Sequence, residues 1–100
     1  MRHDRQMDRI EVELFTDAGN DAVVRMPGRS FPGVVIQGDT LSTLWMSAKR
    51  ALDGLRAPDG RAAGLSELED LTSRLDATLS RYERALEAND IRRPYNLPDR

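Results

Sequence analysis

The sequence has no cysteine, one histidine and one tryptophan, and aromatic residues make up only 5% of its 100 positions. Without cysteine the chain cannot form disulfides, thiolate metal sites or a cysteine nucleophile, and this composition fits a reducing compartment. The one histidine, His3, lies in a charged N-terminal segment, so the body of the chain has no imidazole for a catalytic triad or a metal site. We therefore predict a protein with no catalytic residues, no metal site and no cofactor, which is not an enzyme.

Long hydrophobic runs are absent as well. No segment approaches the roughly 18–20 consecutive apolar residues that a membrane-spanning helix needs. The N-terminal stretch MRHDRQMDRIEVE has no apolar core of the signal-peptide type. The sequence thus predicts a cytoplasmic protein that makes no membrane contact.

Neither charge sign is in excess, because 15 basic and 17 acidic residues give a net charge of −2. Such a balance provides no general attraction for nucleic acid. Arginines cluster late in the chain, at positions 81, 84, 92 and 93, but acidic residues at 83, 87 and 90 lie among them. Nucleic acid is therefore not a favoured partner, and a nucleic-acid-binding regulator is the third of three possible functions.

The chain does contain enough apolar residues, 39% of the total, for the core of one small domain. We place this domain at residues 9–89. The charged residues 1–8 precede it and are predicted to be disordered. Residues 90–100 follow it as an extended tail, since Pro94 and Pro98 forbid a continuous helix there.

Three short strands are predicted in the first third of the domain. From residue 9 to 15 apolar and charged residues alternate, which is typical of a strand with one face exposed to water. The turn sequence TDAGND then leads to a second strand at 22–26, with the spacing of an antiparallel hairpin. A loop containing two Pro-Gly pairs precedes a third strand at 34–37. The apolar residues of the first strand, predicted to face the core, are Ile10, Val12 and Leu14.

A first helix is predicted over residues 40–54. Gly38-Asp39-Thr40 opens it, and we expect Asp39 or Thr40 to be its N-cap rather than part of an anion site, because the Asp39 carboxylate would repel a phosphate. Gly54 is the predicted end of the helix. One face of the helix is apolar and is predicted to belong to the core; its residues are Leu41, Leu44, Trp45, Ala48, Leu52 and Leu55.

A second helix is predicted over residues 66–88, where Ser66 and Glu69 have capping-box spacing. Its leucines recur in steps of three and four residues. They can pack on the first helix and the sheet, or part of the series can form a dimer seam with another copy. The order β-β-β-α-α predicts an α+β fold, in which a three-stranded antiparallel sheet is followed by two helices packed on one face.

The junction between the third strand and the first helix carries a recognisable set of residues. Pro-Gly stands at 32–33, Gln-Gly-Asp-Thr-Leu at 37–41 and Ala-x-x-Ala-Leu at 48–52. Over about residues 9–53 this set resembles the N-terminal domain of HicB-type antitoxins. The resemblance implies an incomplete ribonuclease-H-like domain without catalysis, which binds a small toxin ribonuclease and occludes its active site. Residues 42–45, Ser-Thr-Leu-Trp, depart from the acidic residues usual in that family.

The whole chain also resembles a set of small uncharacterised bacterial proteins. They share the core R-[ML]-P-G-R-x-F-P-G-V-[VL]-[IV]-Q-G-D-[ST]-L, found here at 25–41, and a Pro-Tyr pair near the tail, found here at 94–95. This resemblance covers more of the chain but implies no activity. Short proteins of this kind fit the role of immunity or antitoxin partners.

The leading hypothesis from the sequence is a non-enzymatic protein-binding domain of antitoxin or immunity type, which neutralises or sequesters a small toxin or effector. The alternative is a structural homodimer or assembly subunit built through helix 66–88. The expected contact residues for the leading hypothesis lie on the sheet edge and on the flank of the first helix; they are Arg25, Arg29, Phe31, Asp39, Ser42, Met46 and Arg50.

Overall fold

The structure, a computed structural model, describes residues 7–97. The predictions for residues 1–6, including His3, and for residues 98–100 lie outside this part of the chain. The predicted fold is confirmed, because a three-stranded antiparallel sheet is followed by two packed helices. The elements are β1 (Glu13–Leu14), β2 (Asp21–Arg25), β3 (Gly33–Ile36), α1 (Gly38–Arg56) and α2 (Arg61–Ala88).

The sheet has the order β1-β2-β3, and β1 is its shortest strand. The sequence predicts strand from residue 9 to 15, whereas pairing begins only at Glu13, opposite Arg25. Continuing the same register would bring Glu11 opposite Pro27, which has no N–H to give to a ladder. The predicted strands 22–26 and 34–37 are each displaced by one residue from β2 and β3.

The two faces of the sheet differ in burial. Residues opposite each other in an antiparallel pair share a face, so Val23 and Val34 lie together on the inner face, which packs against α2. Leu14 and Val24 lie together on the outer face. The expectation that Ile10, Val12 and Leu14 face the core is wrong, because their exposures are 56%, 41% and 51%. Phe15, one residue further on, packs against the core instead.

The main core lies at the sheet end, defined here as residues 79–88 of α2 together with the sheet and the tail. Val23, Tyr82, Ala85 and Leu86 form its buried centre, with Val23 fully buried. The Tyr82 hydroxyl donates a hydrogen bond of 2.7 Å to the carbonyl oxygen of Pro32, just before β3. This bond gives a buried hydroxyl a partner and joins α2 to the start of β3.

The tail after α2 folds back onto the sheet end. Asp90 adopts a positive φ of 57°, and the N–H of Ile91 donates to the Leu86 carbonyl at 3.0 Å. A residue in this left-handed conformation ends a helix and reverses the chain. Ile91 and Tyr95 consequently pack against the core, so the part of the predicted extended tail that the structure describes contributes to the fold.

The hairpin end, defined as α1 with residues 61–78 of α2, is held together by close backbone contact. A Cβ atom added at Gly54 would lie 2.7 Å from the Gly64 Cα, and one added at Gly64 would lie 2.6 Å from the Leu55 nitrogen. Gly54 thus lies inside α1 as a contact residue and does not end the helix as predicted. The helix bounds differ accordingly from 40–54 and 66–88, since the link is short and Ser66 lies within α2.

The start of α1 also differs from the prediction. Gln37 is the N-cap residue and makes no side-chain capping bond, and Asp39 lies within the first turn. Its carboxylate accepts a 2.8 Å hydrogen bond from the Thr40 N–H. A carboxylate in the first turn favours the helix by offsetting its dipole, so Asp39 stabilises this end without being the cap.

The apolar face of α1 is not the face that packs on α2. The side of α1 buried against α2 carries Ser47 and Ala51 together with Gly54. Trp45, predicted to be core, is 64% exposed. This prediction is wrong because the two glycines bring the helices so close that small residues occupy the contact and large ones are displaced to its side.

The molecule is correspondingly extended and flat, with principal extents of 50 × 46 × 21 Å. Its radius of gyration is 17.5 Å, against about 13 Å for a compact domain of this length. Neither of the two helices described is long and apolar enough to cross a membrane.

Candidate protein-binding surfaces

The seven predicted contact residues fall into two groups, at opposite ends of β3. Arg25, Arg29 and Phe31 surround the loop between β2 and β3, which precedes β3. The other four belong to α1, which follows β3. A strand of four residues spans roughly 13 Å, so the structure does not bring the seven residues into one patch.

The loop group borders a shallow groove of about 350 Å³, which we call the loop groove. Gly28, with a φ of +78°, gives the loop a conformation that few other residues adopt, and the Arg29 N–H closes it on the Met26 carbonyl at 3.1 Å. Phe31 is held at the side by the Arg92 guanidinium, 5.5 Å above its ring. The groove is lined by Val24, Met26, Arg29, Phe31, Pro32, Gly33, Val34 and Val35.

Arg25 does not line this groove, because its side chain is held on the inner face. Its Nε donates a 2.6 Å hydrogen bond to Glu13, and its guanidinium lies 5.5 Å from the centre of the Phe15 ring. The hydrogen bond and the charge of Arg25 lower the pKa of Glu13, and the same partner raises the pKa of Arg25. Both groups stay charged at neutral pH, so Arg25 acts mainly as a tie between β1 and β2.

Beside the loop groove lies an apolar surface on the side of the sheet away from α2. We call it the outer sheet face, and it consists of Leu14, Val24 and Val35, the first and last of which are 51% and 49% exposed. Met26, 47% exposed, extends it towards the loop. The groove and this face together form one continuous, weakly polar surface.

The second predicted group forms a row along the outer edge of α1. Asp39, Ser42, Met46 and Arg50 recur at steps of three and four residues and are all exposed. The Ser42 hydroxyl donates to the Asp39 carbonyl at 2.8 Å, so it turns partly inward. By helical spacing the row lies on average roughly 100° around α1 from the side that contacts α2, and it is mixed in polarity.

The third surface is the most apolar one on the helices. Sequence reasoning raised the leucines of α2 as a possible dimer seam but assigned the apolar residues of α1 to the core, so it missed that both helices contribute to one exposed surface. We call it the hairpin face; its residues are Leu41, Trp45 and Leu52 on α1 and Leu65, Leu68 and Leu75 on α2, each 40–64% exposed. The signal that could have found it is the pair Gly54 and Gly64. Two glycines on facing helices indicate backbone contact, which leaves no room for leucines between the helices.

At the sheet end, the tyrosine hydroxyls and the Glu83 carboxylate have partners within the protein. Burial, with the hydrogen bond to Glu83 and its charge, raises the pKa of Tyr95 to about 12, and burial raises that of Tyr82. The Tyr95 hydroxyl donates to Glu83 at 3.0 Å, and Arg93 lies 3.6 Å from the same carboxylate. Among residues 7–97 no three His, Cys, Asp or Glu side chains lie close enough to hold a metal ion.

The fold and these surfaces define a small α+β domain whose exposed features are apolar faces. A family model described as a family of unknown function, DUF6959, matches residues 7–95, so the chain belongs to that family. The match supports an uncharacterised family, and the resemblance to HicB-type antitoxins stays a prediction. No curated protein and no solved structure matches the chain.

Proposed function

We propose that the protein is a non-enzymatic protein-binding domain of antitoxin or immunity type, which sequesters a partner protein through the outer sheet face and the loop groove. The observation that carries this proposal is the exposure of Val35 and Leu14 on a sheet whose other face packs against α2. Apolar faces of this kind mark protein-interaction surfaces.

The surface has the composition of a binding site with an apolar centre and a polar rim. Val35 and Met26 supply apolar area, Phe31 supplies an aromatic edge, and Arg29 stands exposed at the border. Aromatic residues, methionine and arginine are the types enriched where proteins meet. The Tyr82 bond to Pro32 fixes the floor of the groove, so part of the surface is already ordered before binding.

The resemblance of Gln37–Leu41 to the strand–helix junction of HicB-type antitoxins gives the proposal its specific form. In that form the partner is a small toxin, and binding occludes the toxin's active site. A nucleic-acid-binding regulator has less support, because Arg81 lies 3.3 Å from Asp21 and Arg93 lies 3.6 Å from Glu83. Two arginines of the late cluster thus have their charges offset.

The experiment is capture of a partner by the tagged full chain in its native host, followed by binding measurements with the purified partner. Val35→Glu should weaken one-to-one binding at least tenfold, because it places a charge on the apolar outer sheet face. Asp70→Arg, a change of an exposed side chain on α2, is the matched control and should bind like the wild type.

Neutralisation of the partner's toxicity in cells is the second measurement. Co-expression of the chain should restore growth to cells that express the captured partner, and Val35→Glu should not. The proposal would be contradicted if the partner bound the wild type and Val35→Glu equally well and both proteins had the same effect on its toxicity.

A further inference from the structure

We propose that two copies of this chain associate through their hairpin faces into an antiparallel four-helix bundle, in which α1 of each copy lies on α2 of the other. This inference goes beyond the proposed function, because it concerns a different surface and a different partner, a second copy. The observations that carry it are the placement of the six apolar side chains, the charges beside them and the exposed area of the monomer.

The apolar side chains of both helices lie on the same side of the hairpin. Successive residues of an α-helix turn by about 100°. On α1 the hairpin-face residues lie roughly 115–155° around from the side that contacts α2, and on α2 they lie roughly 20–100° around from Gly64, in both cases in the direction of increasing residue number. Because α1 and α2 run in opposite directions, rotations in this shared sense turn both sets towards the same side. The hairpin therefore presents a single apolar layer.

That layer has the form of half a helix bundle. Four-helix bundles bury leucine-rich stripes of neighbouring helices against one another, and here each helix contributes three large apolar residues to one side. Trp45 stands at the middle of the α1 set, 64% exposed. Tryptophan in the centre of an interface is typical of a residue that dominates binding.

Charges beside the layer select the partner helix. Lys49 and Arg56 border the apolar residues on α1, and Glu69 and Asp76 border them on α2. If α1 faced α1 of a second copy, basic residues would meet basic ones. Crossing α1 over α2 of the second copy places opposite charges together, which favours that arrangement.

The relative level of the residues on α1 and α2 favours one specific ion pair between the two copies. Gly54 lies level with Gly64 in the hairpin, so Lys49, five residues before Gly54, is level with Glu69, five residues after Gly64. If a twofold axis parallel to the helices relates the copies, residues at the same level in one copy are also at the same level across the interface. This axis would bring Lys49 of one copy opposite Glu69 of the other, while Lys49 retains its 2.9 Å contact with Asp53 on its own helix.

The exposed area is sufficient for such an interface. The chain exposes 7846 Å², whereas a compact monomer of 11.3 kDa exposes about 5,700 Å². The excess of roughly 2,000 Å² per chain is larger than the roughly 800 Å² that each partner buries in an interface of standard size. The hairpin face contributes to this excess.

Trp45, the only tryptophan in the chain, allows the proposal to be tested directly. Dilution of the full chain from millimolar to nanomolar concentration should shift its emission to longer wavelength as the indole becomes exposed to water. Light scattering should give twice the chain mass at high concentration. The concentration at which half of the dimer has dissociated should be the same by light scattering and by fluorescence. A mass of one chain up to a concentration on the order of 1 mM would overturn the proposal.

Variants of exposed residues locate the interface. Leu68→Glu should raise the dissociation constant roughly 100-fold or more, since it buries a charge in the apolar layer. Met46→Glu, on the outer edge of α1, is the matched control and should leave the dimer intact. Circular dichroism of both variants should match the wild type. A dimer that resists Leu68→Glu would overturn the placement.

Charge reversal tests the crossed arrangement. Lys49→Glu and Glu69→Lys should each weaken the dimer about fivefold, and the double variant should recover most of that loss. Failure of the double variant to recover would overturn the crossed arrangement even if the protein is a dimer. Because Val35→Glu lies on another face and should not change the mass, this outcome is distinguishable from failure of the proposed function.

Discussion

At the sheet end of α2 large side chains close on one another, whereas at the hairpin end two glycines bring the backbones together and leave the large side chains outside. Leu86 is 1% exposed at the first end, and Leu75 is 50% exposed at the second, although both belong to the same helix. One helix thus completes a core at one end and presents an uncovered apolar side at the other.

Truncation of one leucine at each end measures the difference in packing directly. Leu86→Ala should lower the free energy of unfolding by about 2–5 kcal/mol, because it removes a buried side chain and leaves a cavity. Leu68→Ala in dilute solution should change it by no more than about 0.5 kcal/mol. Urea denaturation at nanomolar to low micromolar concentration measures both. Equal losses would mean that the two ends are packed alike.

The glycine contact gives the second test. Gly64→Ala should destabilise the protein by about 1–3 kcal/mol, because its Cβ would meet the backbone of α1. Alanine favours an open helix position by about 0.5–1 kcal/mol, so the sign of the effect is diagnostic. Gly38→Ala, with open space around its Cβ, is the control and should be neutral or stabilising. Stabilisation by Gly64→Ala would disprove the contact.

Tyr82 tests how the sheet end is tied to β3. Tyr82→Phe removes the hydroxyl that serves the Pro32 carbonyl and should lower the free energy of unfolding by about 1–2 kcal/mol, since a buried acceptor loses its partner. Thermal denaturation checks the loss. Tyr95→Phe is the comparison, and it should have the smaller effect because its hydroxyl serves a carboxylate that also has Arg93 nearby.

The sheet end should also make the stability of the protein depend on pH in the alkaline range. The folded pKa of Tyr95, about 12, lies above the ordinary tyrosine value of 10. A raised pKa stabilises the fold below the unfolded pKa, and this contribution is lost as the pH rises from about 10 to 12. The free energy of unfolding should therefore fall over that range. The fall should be shallower in Tyr95→Phe, and an identical slope in both proteins would contradict the assignment.

The sequence was sufficient for the order and type of the elements, because alternation before residue 15 and the three-and-four spacing of leucines are local signals. It misplaced Trp45 and Leu14 for one shared reason. Periodicity identifies an apolar face but does not say whether another part of the same chain covers it. The decisive residues for the position of Trp45 were Gly54 and Gly64, which belong to different helices and come into contact only when the hairpin closes.

Of the predicted contact residues, Arg29, Asp39, Ser42, Met46 and Arg50 are exposed, and their role in binding stays a prediction. The ties of Arg25 to Glu13 and of Phe31 to Arg92 could not be predicted. Both join segments whose meeting depends on sheet register or on the docked tail. The local sequence pattern contains no information on the sheet register or on where the tail docks.

The docked tail has a consequence for the order in which the chain can fold. Phe15 and Tyr95 pack on the same core cluster although almost the whole chain separates them. Closing so long a loop is entropically expensive and slow compared with closing the α1–α2 link. During synthesis the helical hairpin can therefore form while the sheet still lacks its last covering residues. The nascent chain would expose its leucines to neighbouring copies on the same message before its own core is complete.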